Sequence, residues 1–245
     1  MFKRVICKGK FIPGIRIMED RVCAGEARAA GGKTGHENGA ASRCRPSTIV
    51  GELSWPIHER SELDAMISGS GVANLLGIAI LRRVRADVAI VAPAHAGMPL
   101  PSLITNDDID AACSGLDGAA TVEMTPEEIA DILERRCAPI ERDETGWPSL
   151  SAVWAHSHAR YPHMLGVLCE VDLRRPVGQR VCSLTMSNGD KMPRILRVAV
   201  ACNTELAGCR TLECCGEPLP KIVADYVAKH SLIAVKAYGC TRYCW

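Results

Sequence analysis

The sequence predicts an α/β domain, with mixed strands and helices stacked as a layered sandwich, from about Thr48 to Val235. Three observations point to it. First, the stretch 85–137 reads strand, loop, helix, strand, helix, joined by short connections. Second, apolar runs of strand length recur along the chain, bounded by Gly, Pro, Asn or Asp. Third, between them lie helical segments with one apolar face each, the form that helices covering a sheet take.

Taken in order, Ile49–Trp55 reads as a strand and 61–65 as a connector. A helix is expected over 70–83, with Val72, Leu75, Leu76, Ile78, Ala79 and Ile80 facing inward. Asp87–Val91 is a strand, broken into a loop by Pro93, Gly97, Pro99 and Pro101. Asn106, Asp107 and Asp108 can cap and charge a short helix running to Cys113. Gly115 and Gly118 turn the chain into a strand over Ala119–Met124.

The best-marked helix follows, over 126–136. Thr125 is its N-cap, Pro126 its first residue, and Glu128 closes a T-x-x-E capping box. Ile129, Ile132 and Leu133 make its apolar face, while Arg135 and Arg136 suit its C-terminal end electrostatically. The stretch 138–163 is polar and irregular. Strands are expected over Met164–Val171, Val181–Met186 and Ile195–Ala201, the last two joined by an Asn188-Gly189 hairpin turn. A helix over 217–229, a short strand over Leu232–Val235 and a tail over 236–245 complete the reading.

Residues 1–47 differ in kind. Lys3–Ile6 and Phe11–Ile12 have strand character, but 23–46 is Ala, Gly, Arg and Ser without apolar periodicity and reads as a flexible leader. Gly31-Gly32-Lys33-Thr34 hints at a phosphate loop, yet Ala27 stands where that motif needs glycine.

Composition narrows the function classes. Net charge is +1 without a basic block, which argues against a nucleic-acid-binding face. Aromatic residues are 4% of the chain, so stacking platforms for bases are poorly supplied. No apolar run reaches the roughly 18 residues needed to span a bilayer. The N-terminus lacks a secretory apolar core, so the expectation is either an intracellular protein or a chain lacking the start of a precursor. The 13 cysteines include no C-x-x-C pair. They read as thiols of a reduced compartment, with partial disulfide pairing or zinc binding as the alternatives. His156-x-His158, with His163 or Cys169, offers a metal-ligand pattern but no third ligand at strand spacing.

ADVAIVAPAHAGMPLPSLIT leading to DDIDAACSGLDGAATVEMTPEEIADILE, and later MLGVLCEVDLRRPVGQRVCSLTMSNGDKMPRILRVAVACNTELA, carry a specific framework. It resembles the C-terminal domain of the 5'-nucleotidase / UDP-sugar hydrolase family over about residues 48–235. The second block shares Gly166, Pro176, Gly178, Arg180, Val181, Asn203, Leu206 and Ala207 with that family's pattern. The resemblance implies a 5'-nucleotidase C-terminal-like layered α/β sandwich. It also implies a role in substrate recognition during nucleotide hydrolysis, beside a separate metallophosphatase domain holding two divalent metals. That domain's D-x-H and G-N-H-[DE] motifs are not in this chain.

The recognition letters are changed. The family's Asn-x-Gly-Gly-x-Arg loop aligns with 92–97, and Gly97 stands at the arginine. Gly115 stands at the first stacking aromatic, Asp117 at an Asn, and 208–212 replaces the second aromatic segment. His95 and Asp117 are the substrate-binding candidates that remain: His95 as an anion ligand when protonated, Asp117 as an acceptor for a hydroxyl. The expected partner is a nucleotide or nucleoside bound weakly. No catalytic or metal-ligating residue is expected in this chain. Without the phosphatase half it should not hydrolyse phosphate esters, and the alternative is a non-catalytic module that kept the scaffold and lost the pocket.

Overall fold

A computed structural model of the chain describes residues 47–151, 161–202, 211–230, 232–235 and 241–244. The expected leader over 1–47 lies, but for its last residue, outside the described residues, as do His156 and His158.

The frame is a five-stranded sheet. Its strands are β2 (Val88–Val91), β4 (Gly118–Met124), β7 (His163–Leu165), β10 (Leu196–Cys202) and β11 (Thr211–Cys215). Their order is β11-β4-β10-β2-β7, with β2 and β10 parallel and the other pairs antiparallel. All four residues of β2 are buried, as befits a central strand covered on both faces.

Strand alternation divides two cores. Ala89, Val91, Ala199 and Ala201 face one side, where α2 (Gly71–Val84), α3 (Asn106–Ala112) and α5 (Leu219–Lys229) pack. Val88, Ile90, Val198 and Val200 face the other, against α4 (Pro126–Cys137) and a three-stranded sheet. That sheet is built from β8 (Val167–Asp172), β9 (Val181–Met186) and β12 (Thr241–Cys244), in the order β12-β8-β9. Small alanines let the helices approach the central sheet, while branched side chains fill the space to the second layer. The result is the mixed, layered α/β architecture expected from the sequence.

Local signals explain most elements. Thr125 and Glu128 form the expected capping box of α4. A second box starts α3, where Thr105 is the N-cap and Asp108 the reciprocal partner, so the cap lies one residue before the expected Asn106. Ser70 caps α2, and its hydroxyl accepts the Ala73 N–H. Arg85 closes that helix with a left-handed backbone, φ 52°.

Several expectations are corrected. The connector at 61–65 is part of α1 (Glu62–Ser68), a helix capped by Ser61. Within 138–163, β5 (Ile140–Arg142) and β6 (Pro148–Leu150) form a hairpin. The single strand expected over Met164–Val171 is broken at Gly166, φ 94°, so that β7 and β8 join different sheets. A Cβ at Gly166 would lie 2.3 Å from the Asp87 carbonyl oxygen, which leaves glycine as the residue that fits. The turn at Asn188-Gly189 forms, but it does not link paired strands: β9 pairs with β8, and β10 enters the central sheet. The strand expected over Leu232–Val235 is reduced to one bridge, Leu53 to Ile233. In the stretch expected as a tail, Thr241–Cys244 is β12, parallel to β8, so the folded unit extends past Val235. Two further short strands go beyond the sequence reading: β3 (Leu103–Thr105), paired with β1 (Ile49–Glu52), and β11.

Among the described residues no single helix is long and apolar enough to cross a membrane.

Candidate functional site

The register of the central sheet gathers the candidate segments. β2 ends at Val91, which pairs with Ala201 near the end of β10. Ala201 pairs in turn with Ala119, and Cys202 with Gly118, at the start of β4. The loop after β2 and the approach to β4 therefore leave the same end of the sheet, where β10 also ends. This is the carboxyl end of the parallel pair, where open α/β sheets place ligands. The segment 203–210, which follows β10, lies outside the described residues.

The loop after β2 is fixed by backbone contacts. Met98 N–H donates to the His95 carbonyl (3.1 Å), closing a turn. Arg60 N–H donates to the Gly97 carbonyl (2.9 Å), and Ile57 and Leu100 exchange both of their backbone hydrogen bonds (2.9 Å each). Ser70 Oγ donates to the Ala96 carbonyl. The stretch 57–60 thus lies flat on the loop. An added Cβ at Gly97 would sit 2.4 Å from the Arg60 carbonyl oxygen. No side chain fits there without a backbone shift, arginine included.

His95 is exposed on this turn, and Asp117 is exposed just before β4. The Asp117 carbonyl accepts the Leu219 N–H at the start of α5 (3.2 Å). Since β10 separates β2 from β4, the two candidates hang from strand ends roughly 10 Å apart. They share one end of the sheet rather than forming a pair. Gly115 has φ 71°, the left-handed region where an aromatic residue would be strained.

One charged cluster beside the start of β4 is paired. Glu217, next to Gly118, binds Arg83 (2.7 Å) and Lys221 (2.8 Å). The Arg83 hydrogen bond, then that of Lys221, holds the Glu217 carboxyl down to about 2.

Of the pattern His156-x-His158 with His163 or Cys169, the His156-x-His158 pair lies outside the described residues, and His163 and Cys169 are within them. Both are buried, and burial, then the nearby Arg136 charge, pushes the His163 imidazole down to about 3. Among the described residues no group of three or more His, Cys, Asp and Glu side chains is placed to hold a metal ion. The two divalent metals that the family resemblance implies belong to the metallophosphatase domain, and the described residues offer no group to hold them. Cys214 and Cys215 carry free thiols.

Sequence reasoning finds the loops but misses what shapes them, namely Arg60 and Ser70. Ser-Gly-Ser before the apolar run of α2 is a readable N-cap signal. Nothing in the sequence pairs Arg60 with Gly97.

A layered α/β domain with loops gathered at the carboxyl end of its parallel strands defines a fold rather than a single activity. The family model for the 5'-nucleotidase C-terminal domain matches residues 49–200, more than half of the chain, and the protein belongs to that family. Three solved structures share the fold. A Staphylococcus aureus protein described as a 5'-nucleotidase, in complex with alpha-ketoglutarate, superposes with a TM-score of 0.68 at 15% identity, covering 80% of this chain and 40% of its own. A 5'-nucleotidase precursor from Thermus thermophilus gives 0.61 at 16%, covering 80% and 39%. A sulfate thiohydrolase from the same organism, SoxB, in complex with glycerol gives 0.62 at 15%, covering 80% and 35%. This chain thus spans well under half the length of these proteins, and at such identities the likeness is one of fold. No curated protein matches the sequence.

Proposed function

We propose that this chain is a recognition domain of the nucleotide-hydrolysing type that does not hydrolyse phosphate esters by itself. The observation that carries this reading is the convergence of the loops at 92–97 and 115–117 on the carboxyl end of β2 and β10, within a domain of this family. Turnover would come from a metallophosphatase partner, since the D-x-H and G-N-H-[DE] motifs are not encoded in the 245 residues. His95 and Asp117 are the side chains offered to a ligand, the first for an anionic group and the second for a hydroxyl.

A second reading, a binding module that has given up the nucleotide pocket, is favoured by the two glycines. Gly97 has no room for a Cβ, and Gly115 has a left-handed backbone, so both positions are built around glycine. An arginine–anion fork and one stacking ring are thereby lost, the latter worth about 1–3 kcal/mol in nucleic-acid binders. Calorimetric titration with adenosine separates the readings. A dissociation constant weaker than about 100 μM is expected if the pocket is lost. Tighter, saturable binding that falls in Asp117→Ala supports recognition through rebuilt loops.

A further inference from the structure

Arg136, a charge suited to the C-terminal end of α4, is only 2% exposed. Its guanidinium reaches across the second core. Nη1 donates to Thr241 Oγ1 of β12 (3.1 Å), and Nη2 donates to the Met66 carbonyl of α1 (3.2 Å). The same group lies over the Tyr161 ring, 4.8 Å from its centroid. Tyr161 Oη donates to the Met66 carbonyl (3.4 Å) and lies 3.2 Å from Tyr243 Oη of β12. One buried cation therefore joins α4, α1, the approach to β7 and the C-terminal strand. Buried charged donors are costly to leave unsatisfied, so the fit of β12 and that of α1 depend on the same group.

The helix α1 is also fastened at both ends to the candidate loop. Just before it, Arg60 N–H holds the Gly97 carbonyl; just after it, Ser70 Oγ holds the Ala96 carbonyl. A shift of α1 therefore pulls on two adjacent residues of the loop. The path from Thr241 through Arg136, Met66 and the ends of α1 to Ala96 and Gly97 is continuous.

We propose that β12 is a strap whose seating, through Arg136 and α1, sets the order of the 92–97 loop. β12 has only four residues on the edge of a three-stranded sheet, so its own pairing is a small hold. Covering or releasing it, by a partner or by chain extension, would reach the loop without contact there. The inference concerns loop order and holds whether or not that loop binds a nucleotide.

Amide hydrogen exchange on the full chain tests it, with Thr241→Val as the probe and Thr241→Ser as the hydroxyl-keeping control. Thr241→Val is expected to speed exchange about tenfold in β12, at Gly69 closing α1, and at Arg60 and Met98, with β4 and β10 unchanged. Thr241→Ser should restore the wild-type pattern at all of these positions. The proposal is overturned if acceleration stays within β12 and its neighbours on β8, if it spreads equally to β4 and β10, or if Thr241→Ser behaves like Thr241→Val.

Discussion

Arg180 Nη1 donates to the Cys137 carbonyl at 2.7 Å, at the last residue of α4, and to the Ile140 carbonyl at 2.8 Å. The helix answers through Glu134, whose carboxylate accepts the N–H groups of Gly178 (3.1 Å) and Val181 (2.6 Å). The Pro-x-Gly-x-Arg run at 176–180 is thus the fastening of β9 to the end of α4. It satisfies the carbonyl of the last residue of α4, one of the helix-end groups that lack an intrahelical partner.

Arg180→Met should therefore destabilise the fold by about 1.5–3 kcal/mol, the range for hydrogen bonds to charged groups. Urea denaturation measures this as a lower midpoint at unchanged slope. A midpoint within error of wild type would remove Arg180 from its capping role.

Gly97→Ala should cost about 1–3 kcal/mol, because its Cβ would meet the Arg60 carbonyl oxygen at 2.4 Å. Gly115→Ala should cost roughly 1–2 kcal/mol for its left-handed backbone. Gly97→Arg, which restores the family letter, should destabilise without creating nucleotide affinity. Thermal melts and adenosine calorimetry on the same variants check both halves of this expectation.

His163 makes the fold acid-sensitive. Its folded pKa, about 3, is depressed below the ordinary 6.5, first by burial and then by the Arg136 charge. The unfolded chain therefore takes up the proton first as pH falls, so stability is lost from about pH 6.5 downward and the loss levels off near pH 3. Between neutral pH and pH 5 the wild type should lose about 2 kcal/mol more than His163→Leu, from about 1.36 kcal/mol per unit. Parallel pH profiles would count against a buried neutral imidazole.

The capped helices are legible in the sequence because their signals are local. Thr125 and Glu128 reveal α4 within four residues, and β2 and β10 stand out as apolar runs. What escapes the sequence depends on contacts between distant segments. Thr241–Cys244 is polar at two of four positions and becomes a strand because β8 offers an edge and Arg136 a donor. Likewise Arg136 reads as a charge suited to a helix C-terminal end, and it is buried because α1 and β12 supply acceptors. The loop positions of His95 and Asp117 are readable from the family framework. That Gly97 is pinned by Arg60 is not, since the two approach only through backbone atoms.

We propose that this chain carries recognition architecture without the means of turnover. Phosphate release from AMP and UDP-glucose, with manganese or cobalt supplied, tests it most directly. The prediction is no release above background from the chain alone, and release on adding a metallophosphatase partner if the chain is a separated subunit. Robust turnover by the chain alone, abolished by a chelator, would contradict it.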